Sequence, residues 1–590
     1  MGLQASRHDK TACQESLLPQ TPPDSFDQLA VYGRIRTIFD MLYIGWFFFL
    51  PGGYLSPMAN IGDACKFPLM IASILVPNIW VINTFHVLRI VLTFYRMPFV
   101  WDMDYWLILI DGSFLLCSLG WIIDRNRVLG VGVFSPLSLK SRNDLITSCT
   151  PAVVITIFLL YFGAGFWKLN STAMNRRYSC TTILWIQLMV AYLPQALTPA
   201  WLPMMLFRIS PVLGPVYEMG MPVLQLFPGW PRRIGILMGV MFSIMIALIP
   251  APNDAGAFSL SVMCAGYIFF LPSATTMVWT RLYKRLGLSD LPANVQIGPV
   301  GVMFIAATII IYYFGLEEFF IPKACVVIGI AMAVGVWLDA SAVTEEDRRL
   351  KHASSQIPMA TQSATPAQGG GGDALKWARR VSWMLTAFYS FFAMMLGVMD
   401  MSNQEMYSSL NESGGSNHML LPTGMLQHIF ATNPTLAEWL PAANDVFGGG
   451  LVRVDHTDSK AINAIYPGET TGRLDSRVLE ILREIGHEAR EFSFETGRVM
   501  GPGFGTPNPT GSAFVRYTVP ALELRRMLAE AQVAGEAFSL VYSRPPRFTY
   551  PSIEVFEEVD SGKHLVEVTY KFDGKGHASC ILTGGATCDP

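Results

Sequence analysis

The sequence predicts a polytopic α-helical membrane bundle of about eleven spans, followed by a C-terminal α+β domain on the exoplasmic side. Three observations carry this expectation. The 590 residues are 51% hydrophobic and 15% charged, where soluble chains carry about 25% charged residues. Mean hydropathy is +0.37. Apolar runs long enough to cross a hydrocarbon core of roughly 30 Å recur as far as residue 400, and the patterning then becomes mixed.

Residues 1–33 form a polar tail with no apolar stretch or cleavage site of a signal peptide. Its opening Met1-Gly2-Leu-Gln-Ala-Ser6 fits the N-myristoylation pattern. An unmodified tail is the plainer alternative, because a chain with many spans needs no lipid anchor. The membrane domain covers 34–340. Its spans fall near Thr37 to Tyr54, Phe67 to Tyr95, Tyr105 to Ile123, Pro151 to Lys168, Cys180 to Leu197, Met204 to Phe227, Ile234 to Pro250, Ala257 to Trp279, Ile297 to Gly315 and Phe319 to Leu338. The sixth carries Arg208, Pro211, Pro215, Glu218 and Pro222, so a broken or re-entrant segment is expected there. Residues 341–377, whose Ser/Thr/Gln/Ala stretch ends in Gly369 to Gly372, have linker composition, and the last span occupies 378–400.

In the exoplasmic domain, 401–590, helices are expected at Ser476 to Glu491 and Pro520 to Ala534. Strands are expected around Phe538 to Tyr542, Ile553 to Glu557 and His564 to Phe572. Positive charge sets the orientation. Arg7, Lys10, Arg34 and Arg36 precede the first span, and Arg96, Arg176 and Arg177 follow even-numbered ones. This predicts a cytosolic N-terminus, a lumenal C-terminal domain and an endoplasmic reticulum or other endomembrane location. The segment Asp124 to Thr150, with Arg125, Arg127, Lys140 and Arg142, dissents from that count.

Several residues are candidates for chemistry or structure. Lys168 closes the apolar run Tyr161-Phe-Gly-Ala-Gly-Phe-Trp-Lys-Leu-Asn170. A charge at such a place is either functional or a lysine reaching toward headgroups. Asp40, His86, Arg89 and Asp111 interrupt other spans; His86 and Arg89 share a helix face, where Asp40 or Asp111 can satisfy them in a structural polar pocket. Among nine cysteines there is no Cys-x-x-Cys pair and no zinc pattern, so no metal site is expected. Cys65, Cys580 and Cys588 fall on the lumenal side and are disulfide candidates, with the pairing open. Asn411 opens a sequon there, and Asn170 one on the predicted cytosolic side. Asp455, His456 and Asp458 read as a solvated turn, and His418 as a loop histidine. A net charge of -3 without a basic tract gives no footprint for nucleic acid.

The segments Phe39-Asp-Met-Leu42, Cys65-Lys-Phe-Pro-Leu69 and Tyr161 to Asn170 resemble the vitamin K-dependent gamma-carboxylase family and its wider relatives, the horizontally transferred transmembrane (HTTM) domain. Ala247 to Asn253, with Phe258, and Gly414-Gly-Ser-Asn-His418 are similar to algal members. The resemblance implies a carbon–carbon lyase of the gamma-glutamyl carboxylase type. Its cofactor would be reduced vitamin K or another membrane quinol, its co-substrates carbon dioxide and oxygen, and its substrate a glutamate-containing protein or peptide. Lys168 would be the base that deprotonates the quinol, with Phe166 and Trp167 as cofactor-binding rings. Apolar surroundings favour the neutral amine that such a base requires.

The match departs from the carboxylase pattern at two places. Asp104 stands where the carboxylases have an assisting histidine, and Phe242-Ser243 where many relatives have another. A carboxylate accepts where an imidazolium donates. The alternative class is a non-enzymatic transporter or lipid-binding protein on the same scaffold, against which the absence of an internal repeat counts.

Overall fold

The computed structural model describes residues 27–37, 68–96, 102–170, 173–250, 256–270, 325–336, 372–393, 418–420, 451–462, 475–487, 517–544 and 566–582, apart from a few single positions. The helices before the C-terminal domain include α1 (Ile79–Arg96), α2 (Asp102–Leu129), α3 (Leu139–Trp167), α4 (Cys180–Tyr192), α5 (Trp201–Leu226), α6 (Trp230–Ala247), α7 (Gly256–Gly266) and α8 (Asp373–Ala387), the last extended by a π-turn over Phe388–Phe392. Among the described residues, three helical stretches are long and apolar enough to cross a membrane: Met103–Leu129, Leu139–Trp167 and Trp230–Ala247. The spans expected at 37–54 and 297–315 lie outside the described residues, so the count of eleven rests on hydropathy alone.

Prolines misplace boundaries in the sequence reading. Pro151 was expected to open a span, but α3 starts twelve residues earlier and contains it, with Ser138 as N-cap. The expected break in the sixth span is absent: α5 runs unbroken through Pro211, Pro215 and Pro222. Conversely, the expected second span is interrupted at 76–78. There Asn78 Oδ1 accepts from Trp80 N at 2.9 Å and starts α1 afresh, an N-cap signal inside an apolar run.

Antiparallel α2 and α3 form the centre, and α8 packs against both. Asp124, near the end of α2, accepts from Ala374 N (3.2 Å) and Leu375 N (2.8 Å), so one helix supplies the N-cap of another. A Cβ on Gly120 would lie 2.9 Å from Ala374 O, so α8 can approach only a glycine at that point. Deeper in, Ser113, Thr156, Ser382 and Thr386 bond one another through their hydroxyls. Small residues and hydroxyls hold helices together where lipid gives no hydrophobic drive.

These contacts fix which ends of the bundle lie together. Asp27 pairs with Arg142 at 2.5 Å, so the N-terminal helical residues start beside the segment 124–150. At the opposite end, Tyr105 stacks on Tyr389 with centroids 5.7 Å apart, and α3 delivers Lys168. The dissenting basic segment therefore lies at the N-terminal end, and Lys168 and Asn170 lie across the bundle from it. This corrects the expected placement of Asn170 beside the N-terminus.

The C-terminal domain has an antiparallel five-stranded sheet in the order β2-β1-β3-β4-β5. Its strands are β1 (Leu451–Thr457), β2 (Tyr517–Pro520), β3 (Phe538–Arg544), β4 (Val566–Phe572) and β5 (Ala578–Leu582); its helices are α9 (Ser476–Glu484) and α10 (Ala521–Val533). α10 lays Leu524, Met527 and Ala531 on a sheet face built by Val454, Leu540 and Tyr570. α9 is amphipathic. Asp475 caps its start, and its end is a Schellman turn in which Gly486 takes φ +78° and His487 N bonds Leu482 O at 2.8 Å. That glycine stops the helix short of the expected Glu491. β1 occupies Asp455 and His456, which were expected in a turn. The strand expected at 553–557 lies outside the described residues.

Candidate functional site

The motif Tyr161 to Asn170 is legible as a packing device. A Cβ on Gly163 would lie 3.0 Å from Ser390 Cβ, and one on Gly165 2.7 Å from Met219 Cγ and 3.0 Å from Glu218 Cβ. The two glycines thus admit the π-turn after α8 and the helix α5 against the end of α3. Trp167 Nε1 donates to Ser390 O at 2.7 Å. Asn170 Nδ2 donates to Trp167 O (2.8 Å), and its Oδ1 accepts from Ala173 N (2.8 Å), which closes the helix end. Asn170 is fully buried, so its sequon is inaccessible to a glycosyltransferase.

Lys168 follows the last residue of α3 and is 5% exposed. Its Nζ donates to Glu218 Oε2 at 2.7 Å and to Oε1 at 3.0 Å. Glu218 is also buried, on the face of α5 that Gly165 admits. Breaking such a pair from one side leaves an uncompensated buried charge. Gly165→Val is therefore expected to separate α5 from α3, lower thermal stability and expose Lys168 to amine-reactive reagents. Lys168 labelling followed by peptide mass mapping checks this.

A second chain segment closes over the pair. His418 Nε2 bonds Phe166 O at 2.8 Å, Met419 N donates to Leu169 O at 2.8 Å, and Asn170 and His418 form an antiparallel β-bridge. The imidazole lies 4.6 Å from the Phe166 ring and 5.4 Å from the Trp167 ring, centroid to centroid. Burial pushes His418 below the usual 6.5, against the smaller opposing effect of its bond to Phe166. The unfolded chain thus binds this proton more readily than the folded one. Docking of this segment is complete above pH 6.5 and weakens as pH falls from there through the lowered value of the folded protein. Protection of the 418–420 amides from hydrogen exchange is expected to fall over that window in the native protein and to lose this dependence in His418→Gln.

The other sequence candidates divide among three places. Asp111 gathers a buried cluster: Arg36 Nη2 at 2.6 Å and Nε at 2.9 Å, His86 Nδ1 at 3.4 Å and Arg89 Nε at 3.7 Å. Tyr32 OH bonds His86 Nε2 at 3.1 Å. Of the two carboxylates proposed for His86 and Arg89, Asp111 is the one described, and Arg36 joins it; Asp40 lies outside the described residues. Asp104 sits partly buried in the first turn of α2, next to Tyr105, while the carboxylate on Lys168 comes from Glu218. Trp167 is wholly buried between His418 and Ser390, so it is committed to packing; Phe166 is partly exposed. Sequence reasoning noted Glu218 only as an interruption of a span. The glycine four residues before Asn170's neighbour Leu169 was the signal that another helix comes close there.

Cys580 is buried on β5, while Cys65 and Cys588 lie outside the described residues. Gly2 and Asn411 lie outside them as well. Among the described residues no cluster of His, Cys, Asp and Glu can hold a metal ion.

The C-terminal domain meets the membrane domain at the Lys168 end a second time, where α9 packs on α4 and His487 Nε2 bonds Ser179 O at 3.1 Å. Residues 416–590 match a family model described as a domain of unknown function, DUF8388. The match includes His418, so the residue that closes over Phe166 belongs to the matched segment. No curated protein and no solved structure matches the chain.

Proposed function

We propose that this chain is a multi-pass membrane enzyme of the HTTM and vitamin K-dependent carboxylase type, in which Lys168 is the base and Glu218 its proton partner. The buried pair of Lys168 and Glu218 carries this reading. Transfer of one proton across 2.7 Å turns the ion pair into a neutral amine and a neutral acid. The amine lone pair can then take a proton from a weak acid, while Glu218 keeps the proton it received and the anion of the weak acid balances the ammonium that results. Among the described residues Nζ uses two of its three N–H bonds, both on Glu218, which leaves one position for a hydroxyl of a bound quinol. A bound quinol, with oxygen, would supply the stronger base that carboxylation needs, by resemblance alone. Phe166, partly exposed two residues before Lys168, would be the ring that contacts it by the same resemblance.

Charge supports an orientation for this enzyme. Arg125, Arg127, Lys140, Arg142, Lys376, Arg379 and Arg380 lie at the end shared with residue 27, which is read as cytosolic in an endomembrane. Lys168 and the C-terminal domain then face the lumen, where a glutamate-containing peptide would dock. Membranes containing the protein are expected to incorporate labelled carbon dioxide into a glutamate-rich peptide when given reduced vitamin K and oxygen. No incorporation, together with solute flux into vesicles that survives Lys168→Ala, would contradict this and favour the transport or lipid-binding class.

A further inference from the structure

No charged residue occurs between Arg177 and Arg208, yet this stretch is not a simple span. It folds back on itself as α4, a short 3-10 turn at Gln195–Leu197 and the first two turns of α5. Thr182 Oγ1 and Ser210 Oγ bond at 2.7 Å, and a Cβ on Gly214 would lie 3.1 Å from Thr181 Oγ1, so the two helices lie side by side. The thirteen residues of α4 reach only about 20 Å, short of the roughly 30 Å hydrocarbon core.

The two sides of this hairpin differ. On one, Ile183, Ile186 and Met189 are covered by Val478, Leu479 and Leu482 of α9, whose Glu480 and Arg483 are exposed and face away. On the other, Trp201 (61% exposed), Met205, Ile209, Val212 and Val216 stay uncovered. These five lie within an arc of about 80° at 3.6 residues per turn, so they form one continuous stripe. Arg208 flanks the stripe, and Tyr192 and Trp201 stand exposed at its outer end.

We propose that the α4–α5 hairpin lies in the membrane interface at the Lys168 end, with this stripe in the acyl chains of that leaflet and α9 covering its aqueous side. A helix that is apolar on one side, with aromatic residues at its end and an arginine at headgroup reach, partitions there. The occupant is lipid: a water-facing surface of this size without charge is disfavoured, and α9 already supplies the protein contact. The stripe ends two residues before Glu218 on the same helix. Glu218 itself faces α3 on the other side of the helix, so the lipid contact does not depend on the proposed function.

The test places benzoylphenylalanine singly at Met205, Ile209, Val212 or Val216, and as controls at Glu480 or Arg483, in the full chain reconstituted in phosphatidylcholine vesicles. Only variants with the thermal stability of the native protein are used. Irradiation is expected to add the mass of one phosphatidylcholine at the stripe positions, several-fold above the controls. Crosslinking to a second copy of the chain, or no lipid adduct at any stripe position, would overturn the proposal, whatever the outcome of a carboxylation assay.

Discussion

Asp111→Leu is expected to destabilise the bundle by at least about 3–5 kcal/mol, the range for removing one partner from a buried ion pair. The side chain of Asp111 is wholly buried and bonds Arg36 twice, with His86 and Arg89 also within 3.7 Å. Without the carboxylate, both guanidinium groups lose a ligand in surroundings where water cannot replace it. The cluster also ties the N-terminal helical segment, through Arg36, to α1 and α2. Thermal unfolding in detergent is expected to show a lowered midpoint, and proteolysis is expected to release the segment before residue 37. A midpoint equal to that of the native protein would show that the cluster is dispensable. Asp111→Asn is expected to fall between, since it keeps the shape and one of the two oxygens that accept from Arg36 but removes the charge.

The second large effect concerns the pair at the end of α3. Glu218→Leu is expected to cost about 3–5 kcal/mol, because it leaves the Lys168 ammonium buried without an acceptor. Side-chain exposures of 6% for Lys168 and 10% for Glu218 place this loss at the lower end, since some water can reach the site. Lys168→Leu combined with Glu218→Leu is expected to recover much of that stability, because an apolar pair of similar volume replaces an ion pair at little or no cost. Additive losses in the double variant would mean that the two residues do not act on each other. The double variant would also separate stability from chemistry, as a folded protein that lacks both proton-carrying groups.

The membrane character of the chain and the special position of Lys168 are visible in composition and in one short motif. Its partner is harder to find, because Glu218 lies fifty residues away in a segment whose prolines point to a broken helix. Proline removes one backbone bond at a time, and α5 stays continuous through three of them because α3, α4 and α6 pack around it. The glycines of the Lys168 motif do record the approach of α5 and of Ser390, but only as an allowance for closeness, without naming what comes close. The interruption of the expected second span has a local cause: Asn78 starts a helix inside an apolar run, and hydropathy cannot register an N-cap. In the C-terminal domain, β3 and β4 show alternation over seven residues each. β2 has four residues and β1 carries an arginine, an aspartate and a histidine, so neither displays the period of two that marks a strand. His418 is a loop histidine by sequence; only its β-bridge to Asn170 brings it to the site.

The central claim is that Lys168 carries the base of the reaction. It is tested most directly by measuring quinol-dependent incorporation of labelled carbon dioxide by Lys168→Ala beside the native protein, after matched reconstitution and a check that Lys168→Ala is folded. The account predicts incorporation by the native protein and none above background by Lys168→Ala. Incorporation by folded Lys168→Ala at the native rate would contradict it.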